Sequence, residues 1–91
     1  MSELSFTAFV ISLASSAAIH FGDIPDPQSG QLQPQPDLEG AQQMIDILSL
    51  LEVKTRGNLT AEERQVLEQV LYELRMRYIE ASGGGKRIIE P

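Results

Sequence analysis

The sequence contains no cysteine and no tryptophan, and its only histidine is His20. Without cysteine, the fold cannot rest on a disulfide or on a thiolate-bound metal. A single histidine also rules out a two-histidine zinc site within one chain. We therefore expect no bound metal and no organic cofactor.

Basic residues are few, with seven lysines and arginines against thirteen aspartates and glutamates and a formal net charge of −6. Nucleic acids are bound largely through cationic side chains that neutralise phosphates, so we do not expect a nucleic acid as a partner. The same excess of acid argues against an anionic membrane surface. The 91 residues suffice for one small domain.

No lysine, arginine, aspartate or glutamate occurs between residues 4 and 21, which read LSFTAFVISLASSAAIHF. A secretory signal has a basic start, whereas this stretch follows MSE. A membrane-spanning helix needs about twenty strongly apolar residues with basic flanks, and here serine, threonine and histidine interrupt the run. We therefore predict a helix that is buried in protein rather than in a membrane, and a cytoplasmic location.

Glycine and proline separate this first helix from the rest of the chain. The helix is predicted to begin after Ser2 or Ser5 and to end at Gly22. Residues 22–36, GDIPDPQSGQLQPQP, contain four of the five prolines. This composition predicts an extended linker without regular structure.

The remaining chain predicts two helices joined by a short turn. Asp37 can cap a helix in which apolar residues recur at helical spacing up to the segment KTRGNLT. In that segment Gly57 suits the left-handed position directly after a helix. Thr60 and Glu63 have the spacing of a capping box, which predicts that the next helix covers residues 61–81. Because the connection is short, the two helices should form an antiparallel αα-hairpin. The predicted fold class is all-α, with an N-terminal apolar helix, a proline-rich linker and this hairpin.

Residues 82–91, SGGGKRIIEP, predict a flexible tail after a single domain of residues 1–81. Three consecutive glycines disfavour a helix because glycine loses the most backbone freedom on folding. The tail is therefore expected to be dispensable for folding. The alternative is that Ile88 and Ile89 form a short hook that binds a partner.

The first helix is too uniformly apolar to be covered by a hairpin alone. A helix that is apolar around most of its circumference is buried on most sides, and two neighbouring helices leave one side in water. A second copy of the chain would cover that side, and rows of alanine and serine would let two helix backbones approach closely. We therefore predict a homo-oligomer, most simply a dimer. The residues predicted at its interface are Phe6, Phe9, Val10, Ser12, Leu13, Ser16, Ala17 and Ile19.

Three stretches of the sequence carry a family resemblance. They are FTAFVISLASSAAIHFGDIPDP, PDLEGAQQMIDILSLLEVKTRGNLT and LYELRMRYIE. Over roughly residues 5 to 80 the chain resembles the bacterial family catalogued as domain of unknown function 1844. The resemblance implies a bacterial origin and supports the helix boundaries, but it implies no activity and no site.

Among the candidate polar residues, His20 and Tyr78 each have an ordinary structural explanation. A histidine titrates near neutral pH and could serve as a base or proton switch. A histidine at the C-terminal end of a helix also suits the helix dipole, and this is the reading that we favour for His20. Tyr78 lies on the apolar stripe of the third helix.

Three charged residues complete the set of candidates. Arg75 and Arg77 could hold a carboxylate or phosphate, although one of them is expected to pair with Glu73 or Glu80. Asp46 lies in the middle of an apolar helix and could meet an arginine across an oligomer interface. For all three, a solvated surface position is the simpler explanation.

The sequence therefore favours a non-catalytic interaction or scaffold protein that works through its surfaces. The alternative is a small oligomeric enzyme or ligand-binding protein with a site between subunits. Such a site would use Arg75, Arg77, His20 or Tyr78 from different chains. A polar pocket enclosed by the oligomer would favour the alternative, and a dry interface would favour the scaffold.

Overall fold

The computed structural model describes residues 5–83, which form three α-helices and no β-strand. Helix α1 spans Phe6–Phe21, helix α2 spans Leu38–Lys54 and helix α3 spans Ala61–Ala81. The predicted all-α class is confirmed. In this part of the chain no helix is long and apolar enough to cross a membrane. Most of the predicted tail, residues 84–91, lies outside the described residues.

Each helix begins at a side chain that accepts a hydrogen bond from the first helical turn. The side chains of Ser5 and Asp37 each accept from the backbone N–H three residues later, at 3.0 and 3.1 Å. Thr60 and Glu63 form a reciprocal capping box with distances of 3.1 and 2.9 Å. These contacts satisfy N–H groups that have no partner within a helix, and they confirm the predicted caps.

Two glycines with positive φ lie where α1 ends and in the turn after α2. Gly22 has a φ of 86° and ends α1 as predicted, its N–H donating to the carbonyl of Ile19 at 3.0 Å. Gly57 has the expected positive φ, 87°, but α2 is capped earlier, at Thr55. Gly57 is instead the third residue of a four-residue turn that begins at Thr55. The N–H of Asn58 closes this turn by donating to the Thr55 carbonyl at 2.8 Å. A type II turn requires a positive φ at that position.

The linker between α1 and α2 has no helix or strand, but it is not an extended spacer. The Asp26 carboxylate accepts from the N–H of Gln28 at 2.8 Å, and its backbone carbonyl accepts from Gly30 at 2.7 Å. At the end of the linker the N–H of Asp37 donates to the carbonyl of His20 at 2.7 Å. The turn chemistry of aspartate and glycine prevails here over the extended preference of proline, and it fixes the start of α2 to the end of α1.

The hydrophobic core lies where the three helices meet, and each helix contacts both of the others. The core is aliphatic apart from one aromatic ring, and it includes no polar side chain among the described residues. On each helix the buried positions recur at spacings that form one stripe. The core residues are Val10, Ala17, Phe21, Ala41, Ile45, Leu48, Leu67, Val70, Leu71 and Leu74.

Helices α2 and α3 run antiparallel on either side of their connection, residues 55–60. Close to the connection, Glu52 and Leu67 line the same groove. At the far end, Gln42 and Ile79 line another groove. The start of α2 therefore lies beside the end of α3, as an antiparallel pair requires.

Candidate functional site

One side of α1 is exposed and uncharged, and we call it the α1 face. Its exposed residues are Ala8, Phe9, Ile11, Ser12 and Ser15. Phe9 is 42% exposed and Ile11 is 47% exposed. The only ionisable side chain of α1 is His20, in the last turn. An uncharged face with accessible large apolar side chains is typical of a surface that contacts another protein.

Of the eight residues predicted at an oligomer interface, two belong to the α1 face, two lie in the core and the other four are partly buried. Val10 and Ala17 are completely buried within the chain, so their side chains cannot be reached by a second copy. The reason is that α2 and α3 both pack along α1 and cover a wider stripe than the sequence argument assumed. The predicted residues that keep some exposure are Phe6, Phe9, Ser12, Leu13, Ser16 and Ile19.

His20 and Asp37 form a hydrogen-bonded pair at the junction of α1 and α2. His20 Nδ1 lies 3.0 Å from Asp37 Oδ2, while Asp37 Oδ1 caps α2. Because an ionised carboxylate can only accept a hydrogen bond, Nδ1 is the donor in this pair. The pair borders an open cavity of about 510 Å³, which we call the junction cavity. Its other lining residues are Glu39, Gly40, Gln42, Gln43 and Asp46.

The junction cavity holds carboxylates and amides but no hydroxyl or thiol. A histidine oriented by a carboxylate is one half of an arrangement that activates a nucleophile. The other half, a serine, threonine or cysteine side chain, is missing from the residues that line the cavity. The arrangement can accept hydrogen bonds from a ligand, and it ties two helices together.

Gly40 makes the pair possible by leaving room for the imidazole ring. A Cβ atom at Gly40 would lie 2.5 Å from His20 Nδ1 and 2.6 Å from Asp37 Oδ2. We expect Gly40→Ala to break this hydrogen bond and to lower the free energy of unfolding by about 1 kcal/mol, although alanine normally stabilises a helix relative to glycine. Urea unfolding followed by circular dichroism measures the change.

The control for Gly40→Ala is the same substitution in a His20→Ala background. Without the ring, the carboxylate of Asp37 is free to move away from the new methyl group. Alanine should then raise the free energy of unfolding by up to about 1 kcal/mol, as its helix propensity predicts. An equal loss in both backgrounds would contradict the role assigned to Gly40.

Arg77 attaches the end of α1 and the start of the linker to α3. Its Nε and Nη2 atoms donate to the two carboxylate oxygens of Asp23 at 2.8 and 2.7 Å. The guanidinium lies 5.2 Å from the centroid of the Phe21 ring, and Nη1 is 3.7 Å from Glu80 Oε1. The contact with Glu80 matches the predicted local pairing. The bidentate contact with Asp23 has the shorter distances, and it joins parts of the chain that are 54 residues apart.

The Asp23–Arg77 pair should make stability depend on acid pH. The hydrogen bond from Arg77, together with its charge, outweighs burial and holds the pKa of Asp23 below its usual 3.8. Because its pKa is lower in the folded state, ionised Asp23 adds to the free energy of unfolding. This contribution is complete above about pH 4, and it is lost as the pH falls through the folded-state pKa. Asp23→Asn should therefore flatten the acid limb of a plot of stability against pH, measured by urea unfolding at each pH.

Asp26→Asn is the matched control for this acid dependence. Asp26 belongs to the same linker, but its carboxylate accepts a hydrogen bond from a backbone N–H rather than from an arginine. Its replacement should leave the acid limb close to that of the unsubstituted protein. If Asp23→Asn left the acid limb unchanged, the Asp23–Arg77 pair would contribute nothing to the acid dependence of stability.

The other candidate residues do not meet in one site. Arg75 Nη2 donates to a serine hydroxyl of α2 at 2.8 Å, and Asp46 Oδ1 accepts from Gln42 Nε2 at 2.9 Å. Tyr78 packs against the core and shares the groove between α2 and α3 with Arg75. His20 and Asp46 instead line the junction cavity. Within residues 5–83, no three histidine, aspartate or glutamate side chains lie close enough to share a metal ion.

The sequence does not predict the partners of His20 and Arg77. It predicts Asp37 only as a helix cap and gives no partner for Asp23. Neither pair has a local spacing, since the partners are 17 and 54 residues apart. The one available signal was Gly40, because a glycine in the first turn of a helix is unfavourable unless another group approaches closely.

Three helices around one aliphatic core, with an exposed uncharged face on the first, define a small helical protein. The chain belongs to the family described as a domain of unknown function, DUF1844, whose pattern matches residues 3–80. The predicted family membership is confirmed. No curated protein and no solved structure matches the chain.

Proposed function

We propose that the chain is a non-catalytic interaction or scaffold module that works as a homo-oligomer, most simply a dimer joined through the α1 face. The observation that supports this proposal is the exposure of Phe9 and Ile11 on a face without charge. A cytoplasmic location and a bacterial origin belong to the same proposal.

A second copy would bury apolar surface that one chain leaves in water. Full burial of a phenylalanine or isoleucine side chain contributes about 1.5–3 kcal/mol. Covering the exposed half of Phe9 and Ile11 on two chains is therefore worth about 3–6 kcal/mol. Small side chains at Ala8, Ser12 and Ser15 leave space for two α1 helices to approach closely. Two-fold symmetry is the commonest arrangement of identical chains.

Light scattering coupled to size-exclusion chromatography tests the proposal directly. At micromolar concentration we expect a mass of twice the 10.0 kDa of one chain. A folded protein that stays at the mass of a single chain across the concentration range would overturn the proposal.

The alternative function, an enzyme or binding protein with a site between subunits, has less support. Both arginines already have partners within the chain, since Arg77 is engaged by Asp23 and Arg75 donates to a serine hydroxyl of α2. The junction cavity also lacks a nucleophilic side chain among its lining residues. An interaction module requires neither feature.

A further inference from the structure

A groove between α1 and α3 is lined mainly by α3, and we call it the α1–α3 groove. It has a volume of about 460 Å³. Its apolar residues are Ile11, which is 47% exposed, Val66, which is half-buried, and Val70, which is 8% exposed. The other lining residues are polar, namely Glu62, Gln65, Gln69 and Glu73. Apolar residues inside a polar rim are typical of a surface that binds another protein.

The charge of the α1–α3 groove is negative, and no basic residue of the described chain neutralises it. Within residues 5–83, Glu62 and Glu73 form no salt bridge, and Glu73 accepts a hydrogen bond from the neutral amide of Gln69 at 2.7 Å. None of the lining residues is basic. The arginines of residues 5–83 line other grooves or pair with Asp23, and they are Arg56, Arg64, Arg75 and Arg77. A positively charged occupant would therefore be attracted by both carboxylates.

The two glutamates lie at the two ends of the groove, with the valines between them. Glu62 and Glu73 are eleven positions apart on α3, which is about 16 Å or three helical turns. Both walls of the groove are helices, whose backbone hydrogen bonds are internal, so an extended segment would find no backbone partner there. An amphipathic helix, which satisfies its own backbone, is the form that suits such a groove.

A second copy of the chain does not match the charge of this groove. Helix α1 has no lysine or arginine, and residues 5–83 contain eleven acids and five bases. Like charges that face each other across an interface oppose association. Six of the seven lining residues belong to α3, so the groove lies beside the α1 face and shares only Ile11 with it.

We infer that the α1–α3 groove binds a basic amphipathic helix of a partner protein. Apolar side chains of that helix pack against Ile11, Val66 and Val70. Lysines or arginines about three turns apart on the same helix pair with Glu62 and Glu73. The inference extends the proposed interaction function, and it does not depend on the dimer because a single folded chain presents the same groove.

Titration of the full chain into a fluorescein-labelled peptide tests this inference by fluorescence anisotropy. The peptide has about sixteen residues, which is long enough for an isolated helix, with leucines along one stripe and lysines beside it about three turns apart. We expect saturable binding that weakens as salt is added, because salt screens exposed charges. One control peptide has glutamate in place of lysine, another has serine in place of leucine, and neither should bind.

Charge reversal in the groove provides a second test with the same peptides. Glu62→Lys combined with Glu73→Lys should weaken binding of the lysine peptide by about tenfold or more, and the variant should bind the glutamate peptide instead. This gain of binding also shows that the variant is folded. The matched control is Glu39→Lys with Glu68→Lys, which replaces a first-turn acid and an exposed acid of α3 outside the groove. It changes the net charge equally and should keep the preference for the lysine peptide.

Three results would overturn the inference. The first is that the unsubstituted chain does not bind the lysine peptide. The second is that the groove variant and the control variant weaken binding equally, which would ascribe binding to the net charge of the chain. The third is that the groove variant changes the mass measured by light scattering without peptide, which would assign the groove to a contact between copies. A monomeric mass with saturable peptide binding would instead contradict the proposed dimer and support the inference.

Discussion

Replacing Ser12 with glutamate is expected to separate the proposed homodimer into monomers and to lower the stability of the fold. Ser12 is exposed in the single chain, and its hydroxyl donates to the Phe9 carbonyl at 2.7 Å within α1. A glutamate there meets no steric obstacle in one chain. In a dimer joined through the α1 face it would bury a carboxylate on each copy without a cation, which costs several kcal/mol. Light scattering measures the mass, and urea unfolding at the same protein concentration measures the stability.

Two control variants separate charge from other effects of the Ser12 substitution. Ser12→Ala removes the hydroxyl without adding charge, so the dimer should persist. Gln43→Glu adds the same charge at an exposed position of α2, away from the α1 face, and should leave the mass at that of a dimer. A Ser12→Glu protein that retains the dimer mass would show that α1 is not the interface.

The features that the sequence predicted well are those that depend on neighbouring residues. Caps at Asp37 and Thr60 and the positive φ of Gly57 follow from hydrogen bonds and steric limits within four or five positions. The helix bounds follow from the same signals, except that α2 ends at Lys54, before the position that Gly57 indicates. Another exception is the linker, where several prolines predicted an extended chain and Asp26 formed a turn instead.

The contacts that the sequence did not predict join distant positions. Arg77 had acidic neighbours one turn away, and local spacing favoured these over Asp23. Asp23 directly follows Gly22, which ends α1, and the Arg77 guanidinium lies over the Phe21 ring at that end of the helix. Only the packing of α1 on α3 creates this arrangement, so no spacing in the sequence could reveal it.

The predicted burial of α1 on most sides is only partly seen within the single chain. One stripe, Val10, Ala17 and Phe21, is buried by α2 and α3, so the chain itself provides more cover than expected. Phe9 and Ile11 remain exposed, and they are the basis of the proposed oligomer. The proposed interface therefore involves fewer residues than the sequence predicts.

The substitution with the largest expected effect on stability is Phe21→Ala. Phe21 is 2% exposed and is the only aromatic ring among the buried core residues. Replacing a buried phenylalanine with alanine costs about 3–5 kcal/mol, since apolar contacts are lost and a cavity remains. A chain of 91 residues has a total stability of about 5–14 kcal/mol. The variant should therefore unfold at a much lower urea concentration than the unsubstituted protein.

Phe9→Ala is the matched control, because it makes the same chemical change on the same helix. Phe9 is 42% exposed in the single chain, so its loss should act mainly on association, with an effect that grows smaller as the protein is diluted. The effect of Phe21→Ala should be independent of concentration, because the cavity lies inside one chain. Phe21→Ala should also weaken the attachment of Arg77, whose guanidinium lies over the ring. If Phe21→Ala and Phe9→Ala lowered stability equally at every concentration, the core position assigned to Phe21 would be wrong.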